Sequence, residues 1–510
     1  MGCTYYGRKK IFSLKEADEI TADNAWEVVS DALRTHNVNV SDITYLYEYY
    51  KGKQDILNRT KLIRDDILNK VTVNRANEIV NFKRGYLLTE NIQYIRKDDA
   101  GKEQSDSIKK LNGYMESEGK ATKDTVLAGW MYICGTGYRI AFPKGWADGR
   151  SSTIDEKNGE APFELYTLDP RDCFVAYSRD IGNKPVYACV CSNTAESDGG
   201  TYVYNSVYTV YTRDKIYKLR DGAVIKTSNN KTGFIPIVEY PENDARLGSF
   251  EVVISILNEI NNIMSNACDD IEQCVQSLLV LTGVDIEAKD SDGNRVNTMN
   301  AIREQGGIVL PDKECDAKYL SLQLNPGQTQ TIINDLDSQW MEICGMPNRN
   351  GGSSTSDTGA AVQLRDGWEA AETMAMNTQI MWTESERAFL KIILEIMKGA
   401  GDSTDLKVSD IVPHFNRQNA INIQSKVQAF TGLVAAGLGK KDCVSISGIA
   451  FDVETVVENW IKAEAEAEKK EVEQMKLAMM QEEPADKESE KDTKKPETSA
   501  KKVIKNEQKP

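Results

Sequence analysis

Histidine is nearly missing: the 510-residue chain has two, His36 and His414. Neither has a nucleophile motif or a ligand set around it, which disfavours a zinc site and an acid–base triad. The ten cysteines are scattered from Cys3 to Cys443. Cys189 and Cys191 would share a strand face, Cys268 and Cys274 share no helix face, and further ligands are lacking nearby. Reduced, mostly buried thiols are expected, with no metal and no cofactor. No apolar run approaches the ~18 residues of a membrane span. The start, MGCTYYGRKKIF, lacks the apolar segment of a secretory signal, and Tyr6 breaks the myristoylation pattern. A soluble intracellular protein is expected. A Walker A sequence is also lacking, which leaves no sign of an ATPase motor.

Two motif fragments fail on context. Gly135-x-Gly137 lies after a helical pattern and before a strand pattern, the reverse of a dinucleotide site, so a tight turn is expected. Asp290-Ser-Asp292-Gly293-Asn294 opens like a calcium loop, but its glycine comes early and Ala301 stands at the twelfth position, so a hairpin turn fits better. What the chain has in excess is acid: 78 Asp and Glu against 62 Lys and Arg, a net charge of −16. That opposes a grip on nucleic acid through many phosphates, and it suits a wall that surrounds DNA without sticking to it. Asp269, Asp270 and Glu272 are expected on the polar, solvent- or subunit-facing side of a long helix.

The pattern is α+β. Helices are expected at 22–36, at 40–51 with Asp42 as cap, at 71–88 and at 121–134. From Tyr138 to Tyr240 the period changes to two, giving about seven short antiparallel strands. Strand–helix alternation is lacking there, which disfavours a doubly wound nucleotide-binding fold. From Phe250 to about Leu281, Val253, Ile256, Ile260, Ile263, Ala267, Ile271, Cys274 and Leu278 fall in steps of three and four. Such a stripe must pack on a neighbour, in the chain or in another copy. A small hairpin module is expected at 282–324, an amphipathic helix at 327–344, and a long helix at 359–398 that Gly367 weakens or bends. A returning strand follows at 408–416, then helices at 418–437 and 452–480. The last thirty residues are almost all charged, Pro, Ser and Thr, and are expected to be disordered.

Between the helices at 327–344 and 359–398 stands a loop of Gly, Ser, Thr, Asn and Asp, longer than most helix–helix connections. Several blocks of the chain resemble one family. They are YYKGKQDILNR at 49–59, NRANEIVNFKRGYLLTENIQY at 74–94, LDPRDCFVAYSRD at 168–180 and, most specific, IPIVEYPENDARLGSFEVVISILNEINNIMSNACDDIEQCVQSLLVLTGV at 235–284. With Pro236, Glu239, Tyr240, Asn243, Gly248, Phe250 and Glu251, the last is similar to the entry into the first stem helix of portal proteins of long-tailed bacteriophages. The order of elements is similar from about residue 20 to 475.

The resemblance implies a homo-oligomeric ring of about twelve copies at one capsid vertex. Double-stranded DNA passes through it during packaging and ejection. It divides the chain into a wing with helices and antiparallel sheet (1–247), stem helix 1 (248–281), a clip (282–325), stem helix 2 (326–344), a tunnel loop (345–358), a spine helix and return to the wing (359–416), a helical crown (417–480) and a disordered tail (481–510). Stem residues Val253, Ile256, Ile260, Ile263, Ile271 and Leu278 would pack against neighbouring copies. Asn348, Arg349, Asn350, Gly351, Gly352, Ser353, Ser354, Thr355 and Asp357 would face the DNA. Twelve copies at −16 sum to about −190. The implied partners are the terminase large subunit and head–tail adaptor at the clip, and the major capsid and scaffolding proteins, in a virion assembled in the host cytoplasm and without membrane contact. Catalysis is not expected, and packaging energy would come from a separate ATPase. Two rivals remain at this stage: a phage enzyme processing nucleic acid or cell wall with dispersed acidic residues, and a filament or scaffolding protein built on the long helices.

Overall fold

The computed structural model describes residues 7–97, 105–145, 160–198, 201–230, 232–275, 278–282, 287–289, 295–297, 316–320, 326–348, 367–402, 405–415, 417, 420–447, 456–457, 460–465, 467 and 469–470. The chain divides into two compact units, Met1–Gly432 and Leu433–Pro510.

A short strand β1 (Ile11–Phe12) leads into helix α1 (Ala25–Tyr50). The two helices expected at 22–36 and 40–51 are one. The polar stretch that suggested a break holds Asn39, which is buried; its amide brackets Lys9, accepting from the Lys9 N–H at 2.9 Å and donating to the Lys9 carbonyl at 2.8 Å. Asp42 is therefore an interior helix residue and caps nothing. Helix α2 (Arg75–Leu87) follows, with Asn74 accepting from the Asn77 N–H as its cap. Strand β2 (Gln93–Arg96) and helix α3 (Asp106–Ser117) precede helix α4 (Lys120–Cys134). Gly135 ends α4 at φ +80°, and a Cβ there would lie 2.0 Å from the Arg246 carbonyl oxygen. Gly135-x-Gly137 is thus the tight turn expected of it.

Strands β3 (Thr136–Pro143), β4 (Phe163–Leu168), β5 (Cys173–Tyr177), β6 (Pro185–Asp198), β7 (Thr201–Tyr211), β8 (Lys215–Arg220), β9 (Ala223–Asn229) and β10 (Ile237–Pro241) fill the period-two region. The stretch expected as one strand at 215–227 is the β8–β9 hairpin, because Asp221 and Gly222 both take positive φ. These strands form two sheets, ordered β1-β5-β6-β7-β8-β9 and β10-β3-β4. The pairs among β3 to β10 are antiparallel, as expected, and β1, outside that region, adds to β5 in parallel. Alternation along β5 and β6 explains the layering. Phe174, Ala176, Tyr187 and Cys189 pack under α1, and Cys173, Val175 and Ala188 pack against Tyr138, Ile140 and Ile237 of the smaller sheet.

Helix α5 (Ile254–Val275) then leads to β11 (Leu278–Thr282), β12 (Glu287–Lys289), β13 (Arg295–Asn297) and β14 (Asp316–Leu320). β11 pairs with β14, and β12 with β13. Asp290–Asn294 lie outside the described residues. Helix α6 (Pro326–Ile343) is followed by helix α7 (Trp368–Gly399), and β15 (Ile411–His414) pairs with β2 as the expected returning strand. Gly367 does not bend α7; at φ +77° it stands immediately before the first turn. Helices α8 (Ala420–Ala435) and α9 (Lys440–Ser447) come last among the described elements. In the second unit Cys443 and Val444 of α9 are buried, and Lys440 pairs with Glu464 beside the Trp460 ring. The rest of 452–480 is described only in fragments, and the charged tail lies outside the described residues.

The main core joins α2, α3, α4, β3, β10 and α7. At its centre, without water access, lies a balanced ion quartet. Glu386 of α7 pairs with Lys120 at 3.1 Å and Arg139 at 3.4 Å, and Asp124 pairs with Lys120 at 2.7 Å and with Arg139. Tyr94, Tyr240 and Trp382 all donate to Glu386.

Candidate functional site: the paired helices α5 and α6

The approach to α5 is built from the positions on which the resemblance rests. Glu239 holds Arg246 through two bonds of 2.7 and 3.0 Å and accepts from Tyr177 and Thr136. Asn243 clamps Leu247, accepting from its N–H at 3.0 Å and donating to its carbonyl at 2.9 Å. Glu251 gathers three donors at the entry to α5: the N–H of Gly248 at 2.9 Å, the N–H of Gly7 at 3.2 Å and Nη2 of Arg8 at 2.6 Å. Gly248 passes so close to α4 that a Cβ would lie 2.4 Å from the Ile133 carbonyl oxygen. Phe250 is buried and stacks on Tyr49.

The polar face of α5 is bound within the chain, which corrects the expectation that Asp269 faces solvent or another copy. Asn261, Ser265 and Asp269 are buried and follow one another at i, i+4 and i+8. They accept from the backbone N–H groups of Val73, Val71 and Asn69 at 2.7, 2.9 and 2.7 Å. The match is metric: four helical residues rise about 6.0 Å, and two extended residues span about 6.6 Å. The extended segment at 69–73 is thereby fastened antiparallel along the helix, as the anchored arm of a strap, residues 59–73, that turns over at 62–67. Arg59 and Lys61 add ion pairs to Asp269 at 2.9 and 2.5 Å. Burial alone would push the Asp269 carboxyl up. The Lys61 contact, the Asn69 bonds and Arg59 outweigh it and hold the carboxyl down at about 2. Ser265→Ala should remove one rung at a cost of about 1 kcal/mol and speed amide exchange at Val71 roughly fivefold. Hydrogen exchange read by mass spectrometry checks this, and unchanged exchange over 69–73 would mean the rungs do not hold the strap.

The apolar face divides. Val253 and Ile260 lie in the chain's own core, Ile260 at 1% exposure, with Ile256 packed against them. Ile263 is half-buried and Ile271 is 56% exposed. Leu278 is not on this helix: α5 ends at Val275, and Leu278 opens β11, opposite Leu320. The continuous apolar run LLVLT has no helical polar face, so it pairs as a strand although its first residue keeps the helical step. Helix α6 packs beside α5 and is tied to α2 by Arg75–Asp337 at 3.1 Å. Trp340 is buried with its Nε1 donating to Asp337, and Ile332 and Ile343 are exposed.

The loop after α6 can be placed at its two ends only. Asn348 is half-buried; Arg349, Asn350, Gly351, Gly352, Ser353, Ser354, Thr355 and Asp357 lie outside the described residues. The chain departs through Gly345 at φ +62° and re-enters at Gly367. A Cβ on Gly367 would lie 3.8 Å from the Met346 carbonyl oxygen and 3.9 Å from the Pro347 Cα. The two ends of the segment are therefore neighbours, as in a closed loop.

Beside this point a cavity of about 270 Å³ is walled by Glu242, Lys83, Tyr86, Tyr132, Cys344 and Thr378. The Glu242 Oε1 accepts from Ser249 at 2.7 Å, and among the described residues its buried Oε2 has no hydrogen-bond partner. Burial pushes this carboxyl up to about 7 against the pull of Lys83 and Ser249. Sequence reasoning missed the strap rungs, the ion quartet and Glu242. Only the rungs left a trace in the sequence, the polar repeat at 261, 265 and 269.

The sequence pattern of one family, phage portal proteins of the SPP1 Gp6-like type, matches residues 31–477. The chain belongs to this family. No curated protein matches it. Among solved structures, this portal-family chain is similar to one from the virion of a native gene transfer agent particle, at 13% identity and a TM-score of 0.40, covering 73% of this chain and 89% of that one. A second comes from the neck of an empty particle of that kind computed with C6 symmetry, at 13% identity and 0.37, covering 74% and 88%. A third comes from the neck of the native particle computed with C12 symmetry, at 13% identity and 0.37, covering 73% and 90%. Among the described residues no helix is long and apolar enough to cross a membrane.

Proposed function

We propose that the chain is a structural portal protein without catalytic activity of its own, assembling as a ring of about twelve copies through which double-stranded DNA is packaged and ejected. The family match over 31–477 carries this reading. In it, α5 and α6 are the stem, 282–325 is the clip that docks the terminase large subunit and later the head–tail adaptor, α7 is the spine and the helices after 417 form the crown. The major capsid and scaffolding proteins surround a ring assembled in the host cytoplasm and kept in the virion. Residues 345–358 form the tunnel loop, with Asn348, Arg349, Asn350, Gly351, Gly352, Ser353, Ser354, Thr355 and Asp357 toward the DNA. The adjacency of Met346 and Gly367 supports it, because a loop that leaves and returns at one point can project without moving the helices. A net charge of −16 per copy suits a wall past which a polyanion slides.

Negative-stain electron microscopy of the full-length protein tests the reading. Closed rings with a central hole are expected. Ile271→Asp should abolish them while far-UV circular dichroism stays unchanged. Ile260→Asp is not an equivalent test, because Ile260 belongs to the core of the single chain. Compact monomers or dimers across salt and protein concentration would overturn the ring.

A further inference from the structure

The strap on α5 ends in a tip that no other described residue covers. Leu62 is 105% exposed and Ile63 81% exposed, whereas Ile67 at the base is buried. The tip is nevertheless held firmly. Lys61 donates to the Ile67 carbonyl at 3.0 Å, Arg59 to the Asn69 carbonyl at 3.0 Å and Lys70 to the Leu57 carbonyl at 2.8 Å. Arg64 turns the chain at φ +56°, a conformation uncommon for a residue other than glycine, and its guanidinium grips Asp66. A rigid mount for two adjacent branched aliphatics is a knob, and it requires a seat.

The chemistry of the tip selects a protein seat. Its cations are engaged, Arg59 and Lys61 on Asp269 and Arg64 on Asp66, and Asp65 adds negative charge. A phosphate backbone has little to bind there. The opposite flank of α5 offers the complementary surface. Ile271 lies about 200° around the helix from Asp269, and there it is 56% exposed beside the half-buried Ala267 and Ile263. A helix with a knob on one flank and an apolar seat on the other cannot satisfy itself. Copies standing side by side can, since each contact joins two different surfaces and the series closes on itself.

We propose that the Leu62–Ile63 tip of the strap docks against the Ile263–Ala267–Ile271 flank of α5 in an adjacent copy of this chain. This deepens the ring reading and rests on it. The test compares full-length wild type with Leu62→Ser/Ile63→Ser, both titrated by mass photometry. Both residues lie outside the fold of the single chain, so circular dichroism should not change. The variant should need a protein concentration on the order of 10–100-fold higher to reach half assembly. In parallel, Leu62→Cys/Ile271→Cys treated with a short bis-maleimide should give a ladder of linked copies that neither single variant gives. Wild-type-like assembly of the serine variant with no ladder specific to the double cysteine variant would overturn the docking and leave the ring standing. Wild type that never assembles would overturn the ring, and the docking with it.

Discussion

Replacing Glu386 by alanine should destabilise the fold by about 3–5 kcal/mol, a large share of the roughly 5–15 kcal/mol that holds a native protein together. Glu386 sits fully buried between Lys120 and Arg139 and takes hydrogen bonds from Tyr94 and Tyr240. Burial by itself would push its carboxyl up. The two cations and the tyrosine donors overcome that and hold it below the usual carboxylate range. Removing it leaves Lys120 and Arg139 with only Asp124 to balance them, in a region that water does not reach. A second substitution separates charge imbalance from lost packing. Glu386→Gln combined with Lys120→Met removes one charge of each sign, and it should be more stable than Glu386→Gln alone. Urea midpoints for the double variant and for Glu386→Gln and Lys120→Met singly decide the matter; strictly additive losses would show that the quartet does not act as a unit.

Glu242→Gln should act in the opposite direction, increasingly as pH rises above about 4.5. The folded carboxyl titrates at about 7 against an ordinary value of 4.5. Folded protein therefore holds this proton more tightly than unfolded protein does, and unfolding between those pH values releases it. Stability falls as pH rises through that window and levels off above about 7. The group's contribution to the fall is roughly 3 kcal/mol. Glutamine keeps the shape and cannot ionise, so the variant should gain up to that amount at pH 8 and nothing at pH 4. Urea unfolding at the two pH values, followed by intrinsic fluorescence, measures the difference. An equal effect at both would mean that the Glu242 carboxyl titrates alike in the folded and unfolded protein.

The elements that sequence pattern identified well are those whose burial follows a single period. α4 with its closing glycine, the strands of the two sheets and the returning β15 fall in this class. The misplacements share a physical origin in polar residues whose partners are distant in sequence. The helices at 22–36 and 40–51 read as separate because the partner that buries Asn39 between them, Lys9, lies thirty residues away. Asp269 read as solvent- or subunit-facing because the Asn69 amide it holds lies 200 residues earlier. Ile260 read as a surface between copies because stripe periodicity cannot say whether the covering layer is the same chain. Lys120, Asp124 and Arg139 are near one another along the chain, but Glu386 lies 247 residues from Arg139, and the low dielectric that makes the quartet matter exists only once the core has closed.

The rungs on α5 have a consequence for mutational tolerance. They read amide hydrogens and not side chains, and every residue except proline supplies one. The rungs themselves thus ask nothing of the side chains at 71 and 73 beyond excluding proline, while 261, 265 and 269 on the helix must each keep an acceptor. The helix is the conservative partner and the strap the permissive one. The tip at 62 and 63 can then follow an altered seat by ordinary point substitution, with its mounting left intact.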